Sequence, residues 1–136
     1  MDFQKSLMIS AAGLKVQSGR MRIIAENLAN ADSAARGPEA DPYRRKIPTV
    51  VNRFDRELGA EVVRLGKVAD DRSDFNVRYE PGHPAADGKG YVKYPNVSSI
   101  IESVDMRQAQ RTYEANLNVV SSTRQMLQRT IDILKG

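Results

Sequence analysis

Proline placement most strongly constrains the fold of this 136-residue chain. All six prolines lie within residues 35–96. Because proline breaks the interior of a helix, long helices are predicted only before and after this middle segment. The chain therefore divides into residues 1–34, residues 35–96 and residues 97–136.

The first 30 residues carry apolar side chains at intervals of three or four, which places them on one face of a helix. Gly13 and Gly19 lie inside this pattern, and each costs about 1 kcal/mol relative to alanine. We therefore expect a helix that is unstable in isolation. Asn27 and Asn30, followed by Ala31–Ser33, predict a frayed end and a turn, since asparagine tolerates the left-handed conformation. The face comprises Phe3, Leu7, Ser10, Leu14, Gln17, Met21, Ile24 and Leu28.

The last 40 residues carry a second and longer apolar stripe, with an average spacing near that of a coiled-coil seam. Ser99 and Glu102 have the spacing of a capping box, which predicts that Ser99 caps the helix. Such a helix would be roughly 50 to 60 Å long, more than a small domain can cover, so part of it is expected to contact other molecules. The stripe comprises Met106, Ala109, Tyr113, Leu117, Val120, Thr123, Leu127, Ile131 and Leu134.

The middle segment contains short runs that alternate apolar and polar residues, as strands do. The runs lie at Val63–Leu65, Phe75–Tyr79 and Tyr91–Tyr94. We predict an α+β fold in which the terminal helices, residues 1–34 and 97–136, pair as a coiled-coil-like inner domain. Residues 35–96 are predicted to form a small, mostly antiparallel outer module. A turn in that module is predicted at Pro81, Gly82, His83 and Pro84.

The composition excludes several kinds of chemistry. With no cysteine and one histidine, the chain has no thiolate nucleophile, no cysteine zinc site and no multi-histidine metal cluster. His83 with Asp87 could form an oriented base, but no nucleophile accompanies them, and we interpret His83 as a packed turn residue. Asp70, Asp71 and Asp74 lack the spacing of a calcium loop. We predict a protein that is not an enzyme and that has no metal or cofactor.

Charge and hydropathy argue against a nucleic-acid partner and against a membrane-spanning segment. The net charge of +4 is spread along the chain, and its one dense basic cluster, Arg44–Lys46, is interpreted as a solvated strand edge rather than a phosphate-binding site. No nucleic-acid partner is predicted. No apolar run approaches the ~18 residues of a membrane span. Asp2 and Lys5 give no basic flank to the apolar residues 6–14, so no cleaved signal peptide is predicted.

Specific strings resemble a known family. Ala25–Ser33, at the end of the first predicted helix, resembles the signature of the bacterial flagellar axial proteins, which are rod, hook and hook-associated subunits. Four further strings resemble the proximal rod members of that family. They are Pro42–Lys46, Tyr79–Asp87, Gly90–Val97 and Tyr113–Asn116.

The resemblance implies a structural subunit of the basal-body rod, polymerised helically around the export channel, that transmits torque from the motor ring to the hook. It implies contacts with further copies of the chain, with FlgB, FlgF and FliE, with the ring protein FliF, and with the flagellar type III export apparatus. Phe3 and Leu7 resemble the short hydrophobic export motif of early substrates, although both also begin the helical stripe. The assembly residues expected from the stripes and the signature are Leu14, Met21, Ile24, Asn27, Leu28, Asn30, Met106, Tyr113, Asn116, Leu117, Val120, Leu127 and Ile131.

Three alternatives stay open at this point. A free-standing coiled-coil adaptor with a β insertion would form a closed oligomer of fixed size, whereas a rod subunit polymerises through unlike surfaces. A binder of nucleic acid or acidic surfaces would use Arg44–Lys46 and show steep salt dependence. A different rod or hook subunit would share the signature at Ala25–Ser33.

Overall fold

The computed structural model describes residues 2–136. Helix α1 spans Phe3–Asn30 and helix α2 spans Ser99–Lys135. Six short strands lie between them, which confirms the predicted α+β class. Among the described residues, neither helix has the apolar character that crossing a bilayer would require. The strands are β1 Lys46–Ile47, β2 Val50–Asp55, β3 Ala60–Leu65, β4 Ala69–Asp70, β5 Asn76–Tyr79 and β6 Tyr91–Tyr94.

The strands form three separate antiparallel pairs rather than one sheet: β1 with β4, β2 with β3, and β5 with β6. In the longest pair, Val50 lies opposite Leu65 and Asp55 opposite Ala60. Asp55 accepts hydrogen bonds from the backbone N–H groups of Glu57 and Leu58, and these bonds order the connecting turn.

The chain packs as two compact units, each built from three segments. Unit 1 contains residues up to 21, residues 49–66 and residues 107–136. Unit 2 contains residues 22–48 and 67–106. Each helix contributes one part to each unit, because α1 and α2 both continue across the dividing positions.

Unit 1 explains the two glycines of α1. A Cβ atom at Gly13 would lie 2.9 Å from the side chain of Asn116 on α2, and one at Gly19 would lie 2.9 Å from Leu65 on β3. The glycines therefore allow close approach of α2 and β3 to α1, although they lower helix propensity. Val16, Val62, Ala109 and Thr123 are buried in this unit.

Unit 2 has an apolar core and a polar one. Val92 and Tyr94 on β6 pack with Ala35 and Ala85 in a small hydrophobic cluster. Ile23 and Ile24 on α1 are also buried. The polar side chains of Asn27 and Glu102 are buried as completely as the apolar ones.

Two expectations about the helix ends are wrong. Ser98, rather than Ser99, precedes the first turn of α2, and its Oγ accepts from the backbone N–H of Ile101 at 3.5 Å, while Glu102 bonds elsewhere. Asn30 ends α1 without a left-handed conformation, since no described non-glycine residue has positive φ. Its side-chain amide instead donates to the carbonyl of Glu26 at 2.8 Å.

Candidate assembly surface

Helix α2 presents large apolar side chains to solvent along its C-terminal half. Leu117 is 47% exposed and Leu134 is 82% exposed. Beyond Thr123, every residue of the helix is exposed. The exposed stripe of α2, as we name it, comprises Leu117, Val119, Met126, Leu127, Ile131, Ile133 and Leu134.

The buried line of α2 is made of small and polar residues. Glu102, Ala109 and Thr123 are nearly inaccessible to solvent, and Asn116, on the same line, is partly buried. These residues recur every seven positions, so they lie along one side of the helix. Small side chains let α2 approach its own chain closely, and the larger apolar side chains are left outside this line.

The other predicted seam residues occupy intermediate positions. On α1, Ile24 is buried, whereas Leu14, Met21 and Leu28 are partly buried. On α2, the partly buried seam residues are Met106, Tyr113 and Val120. Phe3 and Leu7, the candidate export residues, lie at the start of α1 and are also partly buried, beside the exposed Met8 and Ile9.

A polar cluster in unit 2 joins the end of α1 to the start of α2, and we define it as Asn27, Tyr43, Arg45, Lys46 and Glu102. The Asn27 amide uses its full bonding capacity. Its Nδ2 donates to the Lys46 carbonyl at 2.8 Å and to Glu102 Oε2 at 3.3 Å. Its Oδ1 accepts from the Tyr43 hydroxyl at 2.7 Å and from the Lys46 backbone N–H at 3.0 Å.

Glu102 receives its compensating charge from Arg45. The carboxylate is only 1% exposed, and Arg45 Nε donates to its Oε1. This hydrogen bond raises the pKa of Arg45. Arg45 also lies 3.3 Å from the carboxylate of Asp71 and 3.9 Å from that of Asp105. A buried carboxylate is tolerated only when it is paired and hydrogen-bonded, as it is here.

The burial of Tyr43 has an electrostatic consequence. Desolvation, reinforced by the charges of Glu26, Glu102 and Asp70, raises the pKa of Tyr43 to about 12. The phenol, which is already protonated at neutral pH at its ordinary pKa of 10.0, therefore stays protonated further into the alkaline range and keeps donating to Asn27.

The structure corrects the interpretation of Arg44–Lys46 as a solvated strand edge. Arg44 stacks on the ring of Phe75 at 4.2 Å, and its Nη1 donates to the Asp71 and Ser73 carbonyls. Lys46 pairs with Glu26 at 2.6 Å. Together with the Arg45 pairs, these contacts engage all three cations within the chain.

The residues around His83 form a turn with a satisfied hydrogen-bond network. His83 Nδ1 accepts from the backbone N–H of Ala85 at 3.0 Å. Asp87 accepts from the backbone N–H groups of Tyr91 and Lys89, and these bonds lower the pKa of Asp87. In this arrangement Asp87 orders the turn instead of orienting His83. Pro81, Gly82 and Pro84 in the same turn are exposed.

Across residues 2–136 no group of three or more His, Cys, Asp or Glu side chains is placed to hold a metal ion. Asp71 instead accepts hydrogen bonds from Ser73 and pairs with Arg45. These interactions lower the pKa of Asp71.

Sequence reasoning missed the polar cluster. Its members are far apart in the chain, since Arg45 and Glu102 are separated by 57 positions. The available signal was the asparagine at position 27, a polar residue beside Leu28 at the end of the apolar face of α1. Such a residue in a helix interior indicates either an exposed face or a specific buried partner.

Comparison with known proteins defines the class. The family described as "Flagellar basal body rod FlgEFG protein C-terminal" matches residues 89–133, which include most of α2. The flagellar basal-body rod protein FlgC of Agrobacterium fabrum is 51% identical, covering 94% of this chain and 92% of the relative. The FlgC of Bacillus subtilis is 35% identical, covering 96% and 97%. That of Borreliella burgdorferi is 34% identical over the whole of both chains.

These matches place the chain among the flagellar basal-body rod proteins. Within that class, the chain belongs to the FlgC family. Membership confirms the predicted structural role in the rod and the prediction that the chain is not an enzyme.

Proposed function

We propose that this chain is a subunit of the proximal rod that polymerises helically around the export channel and transmits torque from the motor ring to the hook. The observation that carries the proposal is the exposed stripe of α2. Its last turns have no buried residue in the isolated chain, yet they display Leu127, Ile131 and Leu134.

Exposed apolar surface on α2 favours association with other subunits. Contiguous exposed apolar patches on soluble proteins mark interaction sites, and burial of such surface contributes roughly 25 cal/mol per Å². The stripe lies on one continuous helix, so neighbouring subunits could cover it along its whole length. Contacts between unlike surfaces propagate as a helical filament, as a rod requires.

Rigidity follows from the same packing. Close-packed protein interiors deform little, so a polymer whose helices are covered on all apolar faces resists bending and twisting. In this proposal residues 1–34 and 97–136 form the inner domain around the channel, and residues 35–96 form the outer domain.

The proposed neighbours are further copies of the chain and the rod subunits FlgB and FlgF, with FliE and FliF at the base. We also propose that the chain leaves the cell uncleaved through the flagellar type III apparatus. Phe3 and Leu7 would serve recognition by that apparatus before export and helix packing afterwards.

Replacement of one stripe residue tests the proposal. Ile131→Asp places a charge on the stripe, while Gln125→Asp introduces the same charge at an exposed polar position of α2. In a strain lacking the native chain, we expect Ile131→Asp to be secreted but absent from purified basal bodies, with loss of swimming. Gln125→Asp should restore swimming. Normal incorporation of Ile131→Asp would refute the proposal.

The alternative of a free coiled-coil adaptor is tested on purified protein. A subunit that polymerises only on a rod end should be monomeric at low concentration, whereas an adaptor forms a closed oligomer of fixed size. Sedimentation of the wild-type chain distinguishes these outcomes.

A further inference from the structure

The apolar pattern of α2 repeats so regularly that it does not define a unique pairing. Its large apolar residues occur every seven positions, and so do the members of its buried line. If α2 slid by seven residues, each of these large apolar side chains would be replaced by another large apolar one. Periodic apolar patterns of this type are known to permit alternative registers. The repeating large residues are Met106, Tyr113, Val120, Leu127 and Leu134.

Glu102 breaks this repeat. It is the one acidic residue on the buried line, which continues with alanine, asparagine and threonine at successive seven-residue steps. Its carboxylate is 1% exposed and bonds both Arg45 and the Asn27 amide. Asp105, which also faces Arg45 at 3.9 Å, is followed seven residues later by Thr112.

A shift of α2 by seven residues in unit 2 would therefore place Ala109 and Thr112 opposite Arg45. The guanidinium would keep only its contact with Asp71, at 3.3 Å. The Asn27 amide would lose its Glu102 partner while keeping the bond to the Lys46 carbonyl. The pairing of Arg45 with the buried Glu102 carboxylate thus penalises the shifted register, whereas the large apolar residues at seven-residue spacing hardly distinguish it.

We propose that the buried Glu102 carboxylate, through its pair with Arg45 and its hydrogen bond from the Asn27 amide of α1, determines the register of α2 in unit 2. The best-attested use of a buried polar group is to select one register among several that apolar packing allows. Stability alone is a poor reason for such a pair, because apolar replacements of similar volume are often equally stable.

The test removes the charge pair while keeping side-chain volume. In the chain Arg45→Met/Glu102→Met, spin labels are attached to cysteines introduced at Ala29 and Ser103, both exposed positions of unit 2. The chain has no native cysteine, so only these two sites are labelled. A seven-residue shift changes the offset along the helix by about 10 Å, which pulsed electron resonance resolves.

We expect one label distance in the wild-type background and two distance populations, about 10 Å apart in axial offset, in Arg45→Met/Glu102→Met. The matched control Glu26→Met/Lys46→Met removes the neighbouring ion pair, which does not involve α2, and should retain one distance. A single native distance in Arg45→Met/Glu102→Met would overturn the proposal. Loss of helical circular dichroism in that variant would also overturn it, because the pair would then serve stability rather than register.

Discussion

Gly13 on α1 lies directly against Asn116 on α2, so close that a Cβ atom at position 13 would fall 2.9 Å from Asn116 Nδ2 and 3.0 Å from its Cγ. The Asn116 amide is held there by a hydrogen bond to the Thr112 carbonyl at 3.1 Å. The helices of unit 1 therefore meet where one residue has no side chain and the other has a fixed polar one.

This contact predicts the effect of Gly13→Ala. Alanine improves helix propensity by about 1 kcal/mol, but overpacking against Asn116 costs typically 1 to 3 kcal/mol. We expect a net loss of about 1 kcal/mol in the free energy of unfolding, measured with urea. Gly13→Ala/Asn116→Ala should recover the loss, and Ser18→Ala, at an exposed position of α1, should not destabilise. A stabilised Gly13→Ala single variant would show that the helices do not approach so closely.

Replacing Arg45 is predicted to lower the free energy of unfolding far more than replacing its neighbour Lys46. Arg45→Ala leaves the buried Glu102 carboxylate without its charge partner, and breaking a buried pair costs about 3 to 5 kcal/mol. Lys46→Ala removes an exposed pair with Glu26, for which less than about 1 kcal/mol is expected. Urea unfolding of both variants measures the difference. Equal losses would mean that Glu102 is solvated.

The Asp87 carboxylate in the turn is predicted to contribute to the loss of folding stability at acid pH. Backbone hydrogen bonds from Tyr91 and Lys89 lower the pKa of Asp87 from 3.8, so the folded state binds its proton less readily than the unfolded chain. The resulting stability is present above the unfolded value and is lost as pH falls through the folded pKa. Asp87→Asn keeps a side-chain acceptor but does not titrate. Its unfolding midpoint should fall less than that of wild type between about pH 5 and about pH 2.5; identical pH profiles would exclude a contribution from Asp87.

Export and packing make different demands on Phe3 and Leu7. Recognition acts on the unfolded subunit before export, whereas packing acts on the folded subunit afterwards. We expect Phe3→Ala/Leu7→Ala to accumulate in the cytoplasm, detected by immunoblotting of cell and medium fractions. Met8→Ala/Ile9→Ala, which removes the adjacent exposed apolar side chains, should be secreted normally. If Phe3→Ala/Leu7→Ala is secreted normally but fails to enter the rod, only the packing role remains.

The sequence predicted the helices and missed their mode of contact, for a physical reason. Three-and-four spacing along residues 3–30 and 99–135 identifies apolar faces, but it does not say whether a face is covered by the same chain or by a neighbour. In α2 the most buried line consists of Glu102, Ala109 and Thr123. Ala109 and Thr123 belong to the predicted stripe, but Glu102 does not, since a charged residue is a poor signal of a core.

Local spacing gave a wrong prediction where the contacts of a side chain are set by residues distant in the chain. Glu102 has the spacing of a cap with Ser99, yet its bonds go to Arg45 and Asn27. The strand runs were predictable because alternation is local. β6 coincides with its run, β5 begins one residue later than its run, and β3 ends with its run but begins three residues earlier. Which strands pair was not predictable, since register depends on partners distant in the chain.

Photo-cross-linking in isolated basal bodies tests most directly whether the exposed stripe of α2 contacts neighbouring subunits. A photoreactive amino acid at Leu134, the most exposed stripe residue at 82%, is irradiated in assembled rods and in the free subunit. We predict adducts between this chain and a neighbouring rod subunit in the assembled sample, and none in the free subunit at low concentration. Incorporation of the labelled chain into rods without any intersubunit adduct would contradict the assembly role of the stripe.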